Sequence, residues 1–413
     1  MEKFDLGVIG AGPGGYTAAL QAAASGKKVV LFEKEYIGGV CLNRGCIPTK
    51  SILHSSEIYN KLKSAQDFGV CLTGNTELNY NKVLERKNNV VEKLRKGIEL
   101  ALKNAKVTVV NECADIISKN EIQAGGNVYS CCEIICAAGS SPRVVKGLEF
   151  DHNFILSSDD ILELDSLPES ILIVGSGAIG IEWARIFSNF GVQTTIVELA
   201  QHLLPLADVE VSKRVERIFK SKKIKFYTES SVDKIENNTV VLSNGDMLAP
   251  EKILVAVGRV PNHCQHVDGV TYIGDVTGQI QLAHFAIKEA VYKVCDIPFD
   301  KSLIPSVVYG TPEIAWAGVR EQDLETGSYQ KSMILVSSLG KPWCDGETEG
   351  FIKLLAKDNK IIGAHIVSAE ASALLQQIII AMQYDISTDK LKEVCFAHPT
   401  YSEGVFDALF KFN

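Results

Sequence analysis

Two cysteines five residues apart are the residues of this sequence whose type and spacing most directly indicate chemistry. Cys41 and Cys46 lie in the segment GGVCLNRGCIPTK, shortly after a glycine-rich loop of the kind that binds dinucleotides. A thiol pair can store two electrons as a disulfide, and one member can exchange with a substrate dithiol while the other faces a flavin. The pair therefore predicts chemistry that links thiols to hydride transfer.

The spacing of these cysteines places a geometric condition on a disulfide. On a regular helix, residues five apart point in different directions, so a disulfide needs a distorted first turn, which Gly45 permits. Two other interpretations stay open: a metal site, for which two cysteines are a poor ligand set, and two unrelated core cysteines. The other nine of the eleven cysteines are interpreted as small buried hydrophobic residues in a protein from a reducing compartment.

Three further side chains are candidates for the same chemistry. Lys50 lies four residues after Cys46, about one helical turn, where a cation would favour a thiolate; taken alone, it is an ordinary solvated lysine. An imidazole oriented by a carboxylate is a good general acid or base near neutral pH, and His398 with Glu403 fits that description. Thr400 and Glu403 also have the spacing of a capping box, so both roles stay open for Glu403.

A motif typical of dinucleotide binding occurs twice. An apolar strand is followed by the loop GAGPGG, which starts at Gly10. A helix and a second strand come next, and the second strand ends at Glu33. The same order returns through GSGAIG, which starts at Gly175, and ends at Glu198; in both copies the acid lies 23 residues after the first glycine. Such glycines let the backbone approach a pyrophosphate, and the carboxylate accepts from a ribose hydroxyl. Two dinucleotides are expected, against the alternative of a tight turn without a ligand.

The rest of the chain indicates several domains and excludes some functions. A length of 413 residues suggests two to four domains, and from about Leu303 strand hairpins replace the parallel-sheet pattern. The helix expected at 371–384 is apolar over most of its circumference and should be buried, in a subunit interface. A net charge of −8 without a basic block argues against nucleic acid, and no apolar run approaches membrane-spanning length. Without a secretory or transit segment at its start, the protein is expected to be cytoplasmic.

On these motifs the chain resembles the pyridine-nucleotide disulfide oxidoreductases over nearly its whole length. Within that family it resembles the members that oxidise dihydrolipoamide with NAD. The residues that carry the resemblance are Gly39 to Lys50, Ile179 to Glu182, Gly274 with Asp275, Leu282 to His284, and His398 to Thr400 with Ser402 and Glu403.

The resemblance implies roles for the thiols and their neighbours. Cys41 would exchange with the lipoyl group, and Cys46 would lie against the flavin. Lys50 would pair with Glu182 beside the flavin ring. The predicted activity is oxidation of protein-bound dihydrolipoamide with reduction of NAD, through a Cys41–Cys46 disulfide and FAD.

The resemblance also implies a homodimer. His398, oriented by Glu403, would be the base and would reach the cysteines of the other subunit. The His398–Pro399 peptide bond would be cis. Expected partners are lipoyl-bearing carrier proteins of 2-oxo-acid dehydrogenase or glycine cleavage systems, and no metal is expected.

The resemblance assigns the two dinucleotides and the domains. The positions expected to bind FAD are Gly10, Gly12, Gly14, Gly15, Glu33, Lys50, Gly139, Asp275 and Ala283. The positions expected to bind NAD are Gly175, Gly177, Ile179, Gly180, Glu198 and Gly258. No arginine follows Glu198 closely, which favours NAD over NADP. The predicted fold is α/β, with two Rossmann-like domains that bind FAD (residues 1–143 and 262–302) and NAD (144–261), and a C-terminal α+β dimerisation domain (303–413).

Two other functions remain open. The first is an NADH-dependent reductase of another disulfide, which the sequence separates from the favoured activity only through its closer resemblance. The second is a flavoprotein redox sensor or structural subunit with low turnover. A sensor has no need of both a dithiol and a His398–Glu403 pair, so the sequence argues against it.

Overall fold

The computed structural model describes residues 3–74 and 76–412. The chain divides into two compact units. Unit 1 comprises Met1–Ile52, Asn79–Ser166 and Gly258–Phe299, and unit 2 comprises Leu53–Leu78, Leu167–Val257 and Asp300–Asn413. The predicted four-part division into domains stays a prediction. In the ranges that the structure describes, no helix has the length and apolar character needed to cross a membrane.

The described chain contains single helices and strands as well as long runs of consecutive strands. The helices are α1 (Pro13–Ala24), α2 (Gly39–Arg44), α3 (Cys46–Leu62), α4 (Tyr80–Asn104), α5 (Ala178–Phe190), α6 (Val209–Ser221), α7 (Ala283–Cys295), α8 (Gly340–Asp345), α9 (Ala371–Gln383), α10 (Thr388–Lys392) and α11 (Glu403–Leu409). The strands are β1 (Lys3–Ile9), β2 (Val29–Phe32), β3 (Thr108–Val110), β4 (Ala114–Ser118), β5 (Glu121–Ala124), β6 (Asn127–Cys136), β7 (Ser140–Pro142), β8 (Ile155–Leu156), β9 (Ser170–Val174), β10 (Gln193–Val197), β11 (Lys225–Tyr227), β12 (Val232–Glu236), β13 (Thr239–Leu242), β14 (Met247–Leu248), β15 (Lys252–Val255), β16 (Arg259–Pro261), β17 (Thr271–Tyr272), β18 (Ser306–Val308), β19 (Glu313–Gly318), β20 (Gln330–Leu335), β21 (Phe351–Lys357) and β22 (Lys360–Ser368).

Unit 1 is built on a sheet with a parallel centre. Its strands lie in the order β3-β2-β1-β6-β5-β4, and β17 also pairs with β6. In β2, Val29 and Leu31 belong to one apolar core, whereas Val30 and Phe32 belong to another. The strand is apolar at every position because both faces of the sheet are covered.

Unit 2 contains a parallel sheet and a separate antiparallel sheet. The parallel strands run in the order β11-β10-β9-β15, and the C-terminal strands run in the order β18-β19-β22-β21-β20. The hairpin of β21 and β22 turns at Asp358 and Asn359, whose φ values of 50° and 61° match the left-handed turn that joins twisted strands. These sheets confirm the predicted α/β fold with a C-terminal α+β part.

Helix α9 is only half buried in the single chain. Leu374, Leu375 and Ile378 pack into the core of the C-terminal sheet, whereas Ile380 is 49% exposed. The predicted burial of this helix therefore holds for one face of the single chain, and its burial in a subunit interface stays a prediction. The exposed side of the helix carries Ile380 between the glutamines Gln376, Gln377 and Gln383.

A buried lysine connects the C-terminal sheet of unit 2 to the start of α6. The ammonium of Lys353, on β21, lies 2.8 Å from Asp208, 2.8 Å from Glu210 and 2.6 Å from Glu321. Burial disfavours its charge, but hydrogen bonds to these carboxylates outweigh burial and keep the pKa of Lys353 above its ordinary value. Asp208 also caps α6, because its side chain accepts from the amide of Glu210. The network therefore fixes the start of α6 against the C-terminal sheet.

Candidate active site

An interruption between two helices brings Cys41 and Cys46 together. Helix α2 ends at Arg44, α3 begins at Cys46, and Gly45 separates the two. A Cβ on Gly45 would lie 3.0 Å from the carbonyl oxygen of Val40 and 3.4 Å from the Cα of Cys41. Both cysteines are half-buried thiols, and their side chains hydrogen-bond to each other. The geometric condition for a disulfide is thus met by a break in the helix.

The surroundings of the thiol pair shift the pKa of Cys41 in both directions. The hydrogen bond with Cys46, followed by burial, raises the pKa of the Cys41 thiol, whereas the nearby cation of Lys50 lowers it. The phenol of Tyr16 lies within electrostatic reach of Cys41. Burial, followed by the charge of Cys41, raises the pKa of this phenol. The structure therefore brings the two cysteines and Lys50 together. Tyr16 was missed by sequence reasoning, although it directly follows the glycine loop.

The first glycine loop is shaped by contacts within the chain. Gly10 has a φ of +91°, and a Cβ on it would lie 2.4 Å from the carbonyl oxygen of Ala137. A Cβ on Gly15 would lie 1.8 Å from the carbonyl oxygen of Gly10. Glu33 accepts a hydrogen bond of 2.8 Å from the amide of Ala11. The glycines allow the close turn, and the carboxylate holds it.

The second glycine loop has the same constraints at the equivalent positions. Gly175 has a φ of +99°, and its Cβ would lie 2.7 Å from the carbonyl oxygen of Ala256. A Cβ on Gly180 would lie 2.0 Å from the carbonyl oxygen of Gly175. Glu198 accepts a hydrogen bond of 2.8 Å from the amide of Ser176. The repeat in the sequence is therefore also a repeat in the structure.

The middle glycine of each loop has no reason within the protein to lack a side chain. Gly12 and Gly177 have φ values of −69° and −66°, in extended backbone that any residue adopts. A Cβ would meet no described atom within 4 Å at Gly177, and at Gly12 only the Cα of Gly39, at 3.9 Å. Each glycine is the N-cap of its helix, without a side-chain cap. Open space in front of helix amides fits the pyrophosphate of a dinucleotide, so the residues present fit FAD and NAD.

Asp275, one of the positions expected to bind FAD, is positioned by two residues that the sequence did not indicate. Its Oδ2 accepts a hydrogen bond of 2.6 Å from the hydroxyl of Ser140. That hydroxyl accepts one of 2.9 Å from Nε of Arg259, whose Nη2 donates to the carbonyl oxygen of Ser140 at 2.7 Å. Ser140 directly follows Gly139, which has a φ of +76°, and Arg259 directly follows Gly258, which has a φ of +98°. Each of the two residues directly follows a glycine at the end of its nucleotide-binding half, and this shared position was the sequence signal that could have indicated them.

The other predicted cofactor residues lie on elements of the two units. Ala283 is the first residue of α7, and a Cβ on Gly14 would lie 3.3 Å from Ala286 of the same helix. Ile179 is in the first turn of α5, and Glu182 follows it as a buried residue. Oε1 of Glu182 accepts from the amide of Tyr309 at 3.0 Å. The ion pair between Lys50 and Glu182 stays a prediction.

His398 and Glu403 contact each other directly. Nδ1 of His398 lies 2.7 Å from Oε1 of Glu403, and the amide of Thr400 donates to Oε2 at 2.9 Å. The hydrogen bond with His398, followed by that from Thr400, lowers the pKa of Glu403. The His398–Pro399 peptide bond is cis, as the resemblance implied. The imidazole side chain is 76% exposed in the single chain, so Nε2 is available for proton exchange.

The capping box considered for Glu403 is only half present, because its side chain accepts from the amide of Thr400 but the helix begins later than the box requires. Helix α11 begins at Glu403 itself, with Ser402 as the N-cap and no side-chain cap. Thr400 is therefore outside the helix, and its hydroxyl donates to the carbonyl oxygen of Ala397. Glu403 instead orients His398 and fixes the turn at Thr400.

The interpretation of the remaining cysteines as buried hydrophobic residues is wrong for most of them. Only two of the nine are buried. The exposed ones are Cys71, Cys113, Cys132, Cys295, Cys344 and Cys395. Cys132 lies on β6, Cys295 is the last residue of α7, Cys344 lies in α8, and the other three lie between helices and strands. Among residues 3–74 and 76–412, no group of three or more His, Cys, Asp or Glu residues is arranged to hold a metal ion.

Comparisons with known proteins agree with this geometry. The family model described as pyridine nucleotide-disulphide oxidoreductase matches residues 4–290, and the model for the dimerisation domain of the same family matches residues 304–409. The dihydrolipoyl dehydrogenase of Mycoplasma pneumoniae is 33% identical over 446 residues, which cover 98% of this chain and 97% of the relative.

Two solved structures share the fold. LpdA from Mycobacterium tuberculosis superposes with a TM-score of 0.90 at 22% identity, over 99% of this chain and 100% of that chain. The HOCl-induced flavoprotein disulfide reductase RclA from Escherichia coli superposes with a TM-score of 0.87 at 23% identity, over 99% of this chain and 100% of that chain.

The open space at Gly177 leads to a prediction about NAD. A Gly177→Ala variant should fold with little change in the free energy of unfolding, because its backbone angles suit alanine and no described atom opposes the Cβ. We expect the KM for NAD to rise at least about tenfold, equivalent to about 1.4 kcal/mol, because the methyl group occupies the approach of the pyrophosphate. Steady-state kinetics and urea unfolding measure the two quantities.

The matched control is Gly180→Ala. Its Cβ would lie 2.0 Å from the carbonyl oxygen of Gly175, so this variant should lose stability rather than nucleotide affinity alone. An unchanged KM for NAD in the Gly177→Ala variant would contradict the assignment of this loop.

Proposed function

Because this chain belongs to the pyridine nucleotide-disulphide oxidoreductase family, we propose that it is an NAD-dependent dihydrolipoyl dehydrogenase. The family confirms the predicted cofactors, FAD and NAD. The substrate would be dihydrolipoamide, oxidised to lipoamide. The name and the near-complete coverage of the Mycoplasma relative support this choice of substrate over another disulfide.

The contact between Cys41 and Cys46 is the observation that carries the proposal. The two thiols lie beside Lys50, in the same unit as the Gly10 loop and Asp275. A dithiol next to a dinucleotide cradle can pass electrons to a bound cofactor, whereas an isolated dithiol cannot. FAD and NAD, when bound, supply the acceptors for two electrons and a hydride.

The two cysteines would carry out thiol–disulfide exchange in the oxidised protein. One sulfur of dihydrolipoamide attacks Cys41, a mixed disulfide forms, and Cys46 leaves as a thiolate. The second substrate sulfur then closes the lipoamide ring and releases Cys41. The substrate loses two electrons and two protons, and the electrons remain on the two cysteines. The cation of Lys50 stabilises the thiolate that this exchange produces.

His398 would hold one of the protons. The carboxylate of Glu403 hydrogen-bonds to Nδ1 of the imidazole, so Nε2 is left to accept the proton of the second substrate thiol. We place this imidazole at the cysteines of the other subunit of a homodimer, which would make the dimer necessary for activity. The family dimerisation domain at residues 304–409 supports the dimer.

The physiological setting is part of the proposal. Lipoyl-bearing proteins of a 2-oxo-acid dehydrogenase complex or of glycine cleavage would deliver the substrate. A cytoplasmic location would suit the exposed thiols, because a reducing compartment keeps them from forming disulfides.

The activity is tested with purified, FAD-replete protein. We expect NADH to form at an initial rate that depends on dihydrolipoamide, and we expect the rate to be lost in a Cys46→Ser variant and with NADP. A Cys344→Ser variant, which changes an exposed cysteine elsewhere, should retain the rate. No rate with dihydrolipoamide, while NADH still reduces the flavin, would reject this substrate and favour a reductase of another disulfide.

The His398–Glu403 contact predicts a graded loss of turnover. A His398→Gln variant should lower kcat by about 10²- to 10⁴-fold, the usual contribution of a general acid or base. Glu403→Gln should lower kcat less, because the imidazole remains but loses the charge that orients it. Stopped-flow and steady-state kinetics measure kcat, and flavin absorbance checks that FAD is retained.

The control for this pair is Ser402→Ala, which removes only the hydroxyl that accepts from Gln377. It should leave kcat within about twofold, since the Ser402 side chain does not cap α11 and its hydroxyl bonds to Gln377 rather than to His398 or Glu403. Equal losses in Ser402→Ala and Glu403→Gln would show that the turn, rather than the carboxylate, controls His398.

A further inference from the structure

We propose that Cys136 and Cys264 form a second, reversible disulfide, separate from the Cys41–Cys46 pair. Their sulfur atoms lie 3.1 Å apart, although the residues are 128 positions apart in the sequence. A disulfide needs a sulfur–sulfur distance of about 2.05 Å, so the two side chains have to approach by about 1 Å. Both residues belong to unit 1.

The two cysteines are held in place by one tyrosine. Cys136 is the last residue of β6 and lies opposite Tyr272 of β17 in the parallel register. The hydroxyl of Tyr272 donates to the carbonyl oxygen of Gln265 at 2.9 Å and accepts from the amide of Val267 at 2.9 Å. The loop that carries Cys264 is therefore anchored to the residue that neighbours Cys136. This anchoring holds the loop next to the end of β6, where the two sulfurs meet.

The two thiols differ in access to solvent. Cys136 is 0% exposed, and burial, followed by the hydrogen bond with Cys264, raises its pKa to about 12. Cys264 is half-buried and can meet a small oxidant. A peroxide would therefore react first at Cys264, and Cys136 would be the resolving thiol from inside the protein.

The proposed reaction with hydrogen peroxide balances in two steps. The sulfur of Cys264 attacks one peroxide oxygen, the O–O bond breaks, a sulfenic acid forms, and one water leaves. The sulfur of Cys136 then attacks the sulfenic sulfur, the S–S bond forms, and a second water leaves with the proton of Cys136. Two thiols lose two electrons in total, and the peroxide takes them up. A dithiol such as dithiothreitol reverses the reaction by exchange.

The disulfide would join two segments that flank the predicted flavin cradle. Asn262, two residues before Cys264, donates to the carbonyl oxygen of Ala138 at 2.7 Å and accepts from the hydroxyl of Ser141 at 2.5 Å. Between those two contacts lies Ser140, which hydrogen-bonds to Asp275. Oxidation at this site would therefore link the end of β6 covalently to the loop that carries Cys264, next to the Ser140–Asp275 contact. The Cys41–Cys46 pair would take no part.

Peptide mapping distinguishes the two pairs. FAD-replete holoenzyme is reduced with dithiothreitol, desalted, treated with hydrogen peroxide, blocked with N-ethylmaleimide in acid and digested with trypsin. Cleavage after lysine and arginine places Cys136 in peptide 120–143 and Cys264 in peptide 260–288, whereas the catalytic pair joins peptides 35–44 and 45–50. We expect a cross-link between 120–143 and 260–288 that dithiothreitol removes.

Variants identify the cysteine in the first peptide, which also contains Cys131 and Cys132. The cross-link should persist in Cys132→Ser, an exposed control, and disappear in Cys264→Ser and Cys136→Ala. Cys264→Ser changes a half-buried loop residue, so it remains informative if Cys136→Ala fails to fold. N-ethylmaleimide on both Cys136 and Cys264 after peroxide, or a sulfinic acid on Cys264 without a cross-link, would overturn the proposal.

Discussion

The placement of the two thiols depends on the residue between them, because a side chain at Gly45 would press on the last turn of the preceding helix. With glycine there, α2 can end and α3 can begin within one residue, and the side chains of Cys41 and Cys46 meet. A continuous helix would point them apart. The same break makes Cys46 the first residue of a helix that also carries Lys50 one turn later. The contact between the thiols and the position of the Lys50 cation therefore both follow from the helix break at Gly45.

In the dinucleotide loops, glycines without side chains leave space for a ligand. In each copy, the outer glycines are explained by backbone atoms that a Cβ would strike, and the carboxylate at the end of the second strand holds the loop amide. The middle glycine is explained only by the space that it leaves open. Part of each loop therefore serves the fold and part serves the ligand, so substitutions at Gly180 and Gly177 separate stability from binding.

Much of the fold and of the site was predictable because the signals are local. The glycine spacing, the acid after the second strand and the Cys41–Cys46 segment each lie within a short stretch, where backbone geometry restricts the residue types. The contacts that were missed join distant residues: Ser140 meets Arg259, which is 119 positions away, and Cys136 meets Cys264. No periodicity marks such pairs. The spacing of Thr400 and Glu403 left two roles open for Glu403, because the start of a helix is not fixed by spacing alone; the helix begins at Glu403.

The central claim is that the Cys41–Cys46 pair exchanges electrons with a nicotinamide through the bound flavin, and thiol labelling under anaerobic conditions tests it most directly. Oxidised, FAD-replete protein is mixed with one equivalent of NADH, alkylated, and digested with trypsin. The account predicts that peptides 35–44 and 45–50, joined before NADH, separate and each carry one alkyl group. Retention of that cross-link in the presence of NADH, with the flavin reduced, would contradict it.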